Sequence, residues 1–163
     1  MNYTAETLFD DWISKGWSSI PGETDGYPFW SLFDNVASWW KYRHLDNILF
    51  IHFNDMLQDL AGSIRRIADF FGFPINEATF PELVESLTFD GMKKQVDKVY
   101  VPLQGAIFEG GANSFINKGT NGRWRGVLSE AQLAKYDEVC AAKLSPECRA
   151  WLEHGEKGFN PKA

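Results

Sequence analysis

Cysteine is scarce in this sequence: two residues in 163, Cys140 and Cys148. That excludes the disulfide framework that staples small secreted folds. Histidine is nearly as rare, and His44, His52 and His154 show no metal-ligand spacing with one another or with the cysteines. No zinc or other metal site is expected. No apolar run reaches signal-peptide or membrane-spanning length, and none follows the Met1-Asn2-Tyr3-Thr4 start, so a cytoplasmic protein without a membrane association is expected. Three signatures are also missing: the GxxxxGK[ST] phosphate loop, the GxGxxG dinucleotide fingerprint and the GxSxG nucleophile elbow.

Aromatic residues, in contrast, make up 15% of the chain and hydrophobic residues 44%, enough for one ordinary domain to bury a core. The net charge of −6 argues against a nucleic-acid partner bound by bulk attraction. Its distribution is uneven. Between Gly91 and Gly126, six basic residues (Lys93, Lys94, Lys98, Lys118, Arg123, Arg125) face two acidic ones (Asp97, Glu109). This local excess suits either a solvated basic face or a site for a small anion.

No repeat or low-complexity tract appears, and Pro and Gly form no linker-like run, so residues 1–163 read as one domain without a linker. Periodicity predicts an amphipathic helix over 5–15 and another over about 29–43, with Phe29, Phe33, Val36, Ala37 and Trp40 as a core stripe. The run NILFIHF, 47–53, predicts a strand buried on both faces, with His52 a satisfied core histidine. A helix is expected after it, capped at Asn54 or Asp55 with Gln58 completing a capping box. Its stripe runs from Leu57 to Phe71, and Gly72 and Pro74 close it. Two short helices follow, Pro81 to Leu87 and Phe89 to Gln95, with Thr88 as the cap between them. No period survives from Tyr100 to Phe115. Ser129 with Gln132, and Ser145 before Pro146, open two final helices. A single strand lacks neighbours for its hydrogen bonds. The chain therefore reads as part of an α/β domain whose other strands lie elsewhere.

In Asn117-Lys118-Gly119-Thr120-Asn121-Gly122, glycines allow backbone N–H groups to converge and Lys118 adds a full positive charge. Such a loop suits a phosphate, with Trp124 or an upstream aromatic to cover an adjoining ring. The same pattern also occurs in plain surface turns.

Four stretches, taken in order, resemble the C-terminal half of the cytosolic-type sulfotransferases, which move a sulfuryl group from 3'-phosphoadenosine-5'-phosphosulfate (PAPS) to an alcohol, phenol or amine. WSLFDNVASWWKYR is similar to the family's helix with paired tryptophans. ILFIHFNDMLQDLAGSIRRIADFFG resembles its strand, turn and long helix. LTFDGMKK resembles the Ser/Thr-Phe-x-x-Met segment that lines the nucleotide, and FINKGTNGRW the Arg-Lys-Gly-x-x-Gly-Asp-Trp loop. The resemblance covers about residues 25–155.

It implies an α/β fold: part of a P-loop-like three-layer sulfotransferase domain, helix-rich, with few parallel strands and without the N-terminal phosphosulfate-binding half. It implies that Lys118 and Gly119 contact the 3'-phosphate, and that Thr88, Phe89 and Met92 flank adenine and sugar. Phe53 stands where the family has an adenine-contacting tyrosine. Asn117 replaces an arginine, which should weaken phosphate binding by about 1–3 kcal/mol; Arg123, in place of the family's aspartate, is the nearest compensating cation. The family's dimer-forming segment would fall near Arg125 to Ala134, where Ser129, Glu130 and Ala134 depart from its pattern, so that dimer is not inferred.

The implied co-substrate is PAPS, without a metal, and the partners are a small-molecule acceptor and the nucleotide. The phosphosulfate-gripping lysine and the catalytic histidine have no counterpart before residue 25, so this chain alone is expected to be inactive unless a partner chain or dimer completes it. Two alternatives remain: a truncated homologue that binds nucleotide or a protein partner without catalysis, and a helical interaction module built on its tryptophans.

Overall fold

The computed structural model describes residues 4–15, 26–27, 30–99 and 119–156, and of residues 97–99 only the backbone. Polar residues at helix starts set most element boundaries. Thr4 and Thr7 form a reciprocal capping box that opens α1, Ala5–Ser14. Ser31 accepts from the Asp34 N–H at 3.2 Å and opens α2, Leu32–Trp40. Each cap satisfies an amide that the first helical turn leaves without a partner.

After α2 the chain turns through 41–47 and then runs from 48 to 52 in neither helix nor strand. The strand expected at 47–53 is absent, and α3, Phe53–Gln58, begins inside that run. Among the described residues there is no strand. A strand is held by hydrogen bonds to a neighbour, and this run uses its side chains instead. Phe50 and His52 lie edge-on to Trp151, with ring centroids 5.1 and 5.2 Å away.

His52 is held at both nitrogens. The Asn54 N–H donates to Nδ1 at 3.1 Å, so Nε2 carries the proton and donates to the Leu152 carbonyl at 3.0 Å. It is a satisfied, partly buried histidine, as its sequence context predicts.

The single helix expected after the run is divided. Asn54 and Asp55 sit within α3 rather than capping it. Asp59 is the effective cap, accepting from the Gly62 N–H at 2.8 Å to open α4, Leu60–Phe71. Gly72, at φ 69°, closes α4 as predicted: its N–H and that of Phe73 reach back to the Asp69 and Ala68 carbonyls, the paired bonds of a Schellman ending. Next come α5, Phe80–Leu87, and α6, Phe89–Val99. The predicted caps at Ser129 and Ser145 open α7, Glu130–Lys143, and α8, Pro146–His154.

Contacts divide the chain into two compact units. The first, Met1–Asn54 with Gly122–Ala163, has a core of Phe33, Trp40, Cys140, Leu144, Cys148 and Trp151. Phe33 and Trp40 are buried there and Val36 and Ala37 pack against that core, as the predicted stripe requires; Phe29 lies outside the described residues. Trp40 and Trp151 meet at 5.5 Å between ring centroids, and Trp12 meets Phe33 at 5.3 Å, distances at which aromatic pairs add to area burial. Gln132 completes the α7 capping box and also ties α1 to α7. Its Nε2 donates to the Glu6 carbonyl at 3.1 Å and to Asp10 at 2.8 Å.

In the second unit, Asp55–Asn121, the buried side chains among the described residues are Phe80 on α5 and Val96 on α6. Arg65 lies 4.0 Å above the Phe80 ring and makes a bidentate pair with Glu77 at 2.6 and 2.7 Å.

Candidate functional site

The junction between α5 and α6 carries the second unit's concentration of predicted site residues. Thr88 is the predicted cap. Its Oγ1 accepts from the Gly91 N–H at 3.0 Å and donates to the Glu85 carbonyl at 2.8 Å. The hydroxyl's only proton is therefore committed to the protein. Gly91, in the LTFDGMKK stretch but assigned no role from sequence, makes this junction possible. A Cβ there would stand 2.8 Å from the Ser86 carbonyl oxygen and closer still to that of Glu85.

Phe89 starts α6, and the end of the glycine-lysine loop lies against it. Gly119 has φ 59°, and a Cβ on it would stand 2.6 Å from Phe89 Cδ2. Both the left-handed backbone and the close ring demand glycine at this point. The structure thus brings Gly119 and Phe89 together, with Thr88 adjoining in the chain and Met92 one helical turn on, 39% exposed. The Lys93 ammonium stands 5.9 Å from the Phe89 ring centroid, the outer range of a cation–π contact. Sequence reading counted Lys93 only within the basic cluster, although its i,i+4 spacing from Phe89 on a helix could have singled it out.

Of the remaining predicted residues, Phe53, 49% exposed, and Arg123, also exposed, belong to the first unit. Asn117 and Lys118 lie outside the described residues.

The first unit also contains a cavity of about 680 Å³ that sequence reading did not anticipate. Aromatic residues from α1, α7 and the 122–128 turn line it, among them Phe9, Trp12, Trp124 and Tyr136. Arg149 in its wall is neutralised by Asp137 and by Glu153, the latter at 2.8 Å, and these hydrogen bonds push its pKa further above the ordinary guanidinium value. Burial raises the Tyr136 phenol, helped by its hydrogen bond with Cys140, so the phenol is neutral at physiological pH. Among the described residues no group of three or more His, Cys, Asp or Glu could hold a metal ion, and no helix is long and apolar enough to cross a membrane.

A family model described as "Sulfotransferase domain" matches residues 23–146. Mouse sulfotransferase 2B1 is 32% identical over 133 residues, spanning 82% of this chain and 39% of the mouse protein. Human sulfotransferase 1C2 is 29% identical over 114 residues, 70% of this chain and 38% of the human protein. Firefly (Photinus pyralis) luciferin sulfotransferase is 32% identical over 129 residues, 72% of this chain and 33% of its own length. Among solved structures, mouse sulfotransferase SULT7A1 complexed with PAP superimposes with a TM-score of 0.68 at 22% identity, over 94% of this chain and 52% of the mouse chain. The chain thus spans well under half the length of these curated relatives. It shares its fold with part of a solved sulfotransferase, and by the extent of the domain match it belongs to the sulfotransferase domain family.

Proposed function

We propose that this chain forms the 3'-phosphate and adenine side of the nucleotide site in a sulfotransferase that uses PAPS and a small hydroxyl- or amine-bearing acceptor. The observation that carries this reading is Gly119 packed on Phe89 at the start of α6. Two stretches that resemble nucleotide-binding segments meet there, although they are distant in sequence.

The residues fit such a ligand in chemistry. Phe89 and Met92 offer apolar surface to a base, and Gly119 leaves backbone uncovered for close approach by a phosphate. Lys118 supplies charge next to Gly119, and Lys93 is a second cation beside the ring. Thr88, its proton engaged by Glu85, can present only its methyl group and a remaining lone pair. Its main part in the site is to hold Phe89 at the helix start. Phe53 would stack on adenine, and Arg123 would compensate for Asn117. PAPS supplies the sulfuryl group, and the proposal includes the three-layer α/β domain of which residues 1–163 are one part.

Titration calorimetry of adenosine 3',5'-bisphosphate into the full chain tests this reading. Binding is expected. Lys118→Ala should weaken it about tenfold or more, the scale of a hydrogen bond to a charged group, and Arg123→Ala should weaken it as well. Absence of binding at millimolar nucleotide would overturn the reading. Unchanged affinity in Arg123→Ala would remove that residue's role alone.

A second reading is a homologue that binds nucleotide or a protein partner without transferring sulfate: sulfuryl transfer needs a base for the acceptor and cations on the leaving phosphate, and Thr88, Phe89, Met92 and Gly119 at the α5–α6 junction supply neither. Binding of the bisphosphate without sulfation of 2-naphthol by PAPS would select it.

A further inference from the structure

The cavity in the first unit has the size of a small-molecule site, typically about 300–1,000 Å³. Its walls combine the aromatic rings of Phe9, Trp12, Trp124 and Tyr136 with charged residues, and those charges are unevenly paired. Arg149 is matched by Asp137 and Glu153, so that cluster contributes no unspent cation. Arg125 differs. Its guanidinium lies 5.0 Å from the Trp124 ring centroid, and no carboxylate among the described residues pairs with it.

Its position is prepared by the backbone. Gly122 has φ 76°, and Arg125 Nη1 occupies the space that a Cβ at that position would fill. The guanidinium is therefore held between a glycine and an indole ring, with no side-chain hydrogen bond to another of the described residues. Such a group binds an oxyanion through two parallel N–H donors. Trp12 and Tyr136, in the same cavity, offer ring surface to whatever carries that anion.

We propose that this cavity is a binding site for a planar aromatic monoanion, a ring bearing one carboxylate, sulfate or sulfonate group. Arg125 takes the anionic group, and Trp12, Trp124 and Tyr136 surround the ring. An uncharged ring lacks the partner for Arg125. A dianion meets the carboxylates of Asp137 and Glu153, which line the same cavity and already neutralise Arg149. The site is built wholly from the first unit, so it does not depend on the nucleotide reading above.

The test uses the full chain, without nucleotide, and 2-naphthoate as the probe. Calorimetry is expected to show saturable one-to-one binding, at least about tenfold tighter than for 2-naphthol, and the Trp124 indole N–H signal in a 1H–15N spectrum should shift during the titration. Arg125→Ala should weaken 2-naphthoate about tenfold to a hundredfold, the range for a charge-assisted pair, and leave 2-naphthol unchanged. Arg125→Lys should lose less, keeping the charge without the fork. Leu128→Trp, which fills the cavity without altering Arg125, should abolish binding of both. If Leu128→Trp fails to fold, the two arginine variants decide the matter. Equal affinity for 2-naphthoate in wild type and Arg125→Ala, or binding that leaves the Trp124 signal unmoved, would overturn the proposal. Since no step involves adenosine 3',5'-bisphosphate, failure here and failure of nucleotide binding are separate results.

Discussion

Asp34 shows how one residue serves two purposes. Its backbone N–H completes the Ser31 cap of α2, and its carboxylate pairs with Lys143 at the end of α7. The hydrogen bond from Lys143 is the main cause that lowers the Asp34 pKa, with Ser31 adding to it and partial burial opposing. A lowered folded-state pKa means that the unfolded chain takes up protons first as pH falls. The stabilisation is therefore complete above the unfolded carboxyl value and disappears as pH drops through the folded one. Because the Asp34 carboxylate is 55% exposed, screening keeps the pair weak. Asp34→Asn should cost at most about 1 kcal/mol at pH 7, less at high salt, and nothing once pH lies below the folded value. Urea unfolding of both proteins from pH 7 down to pH 3 checks this; a cost that persists undiminished at acid pH would assign the effect to the helix cap instead.

At the scale of elements, the α5–α6 junction is the place where local chemistry and candidate site coincide. Capping residues and helix stops were legible because their partners lie within three or four positions: Thr88 with Gly91, Ser129 with Gln132, Ser145 with Cys148, and Gly72 with Ala68 and Asp69. The division of the helix at Asp59 escaped notice because Asn54, Asp55 and Asp59 are all good caps, and only backbone geometry selects among them. Gly91 is the element-scale test. It is buried, with no room for a methyl group against the Glu85 and Ser86 carbonyls. Gly91→Ala should destabilise the protein by about 1–3 kcal/mol, the range for overpacking, and should weaken nucleotide binding through displacement of Phe89. Gly72→Ala, where nothing lies within 4 Å of the added carbon, is the control; it strains the left-handed turn of α4 without touching the junction.

For the whole molecule, a ligand that binds the native state alone must stabilise it by mass action. Adenosine 3',5'-bisphosphate at a hundred times its dissociation constant should raise the unfolding free energy by about 2.7 kcal/mol, read as a higher urea midpoint, and the increment should fall to about 1.4 kcal/mol or less in Lys118→Ala at the same nucleotide concentration, given a tenfold or greater loss of affinity. Equal stabilisation of both proteins would place the nucleotide away from the glycine-lysine loop.

What the sequence determined by itself is the local grammar and the family. The helix caps, the α2 core stripe and the four stretches in family order all depend on residues a few positions apart, and the domain match over residues 23–146 agrees with them. The tertiary structure decided everything that requires distant segments to meet. The apolar run at 47–53 has strand composition, but a ladder needs a neighbouring strand, and Phe50 and His52 pack on Trp151 instead. Gly119 carries its meaning only beside Phe89, and Arg125 only when clasped between Gly122 and Trp124 at the wall of a cavity. Periodicity records which face of an element is apolar. It does not record what that face will touch, because that is settled by chain closure and by the packing of side chains distant in sequence.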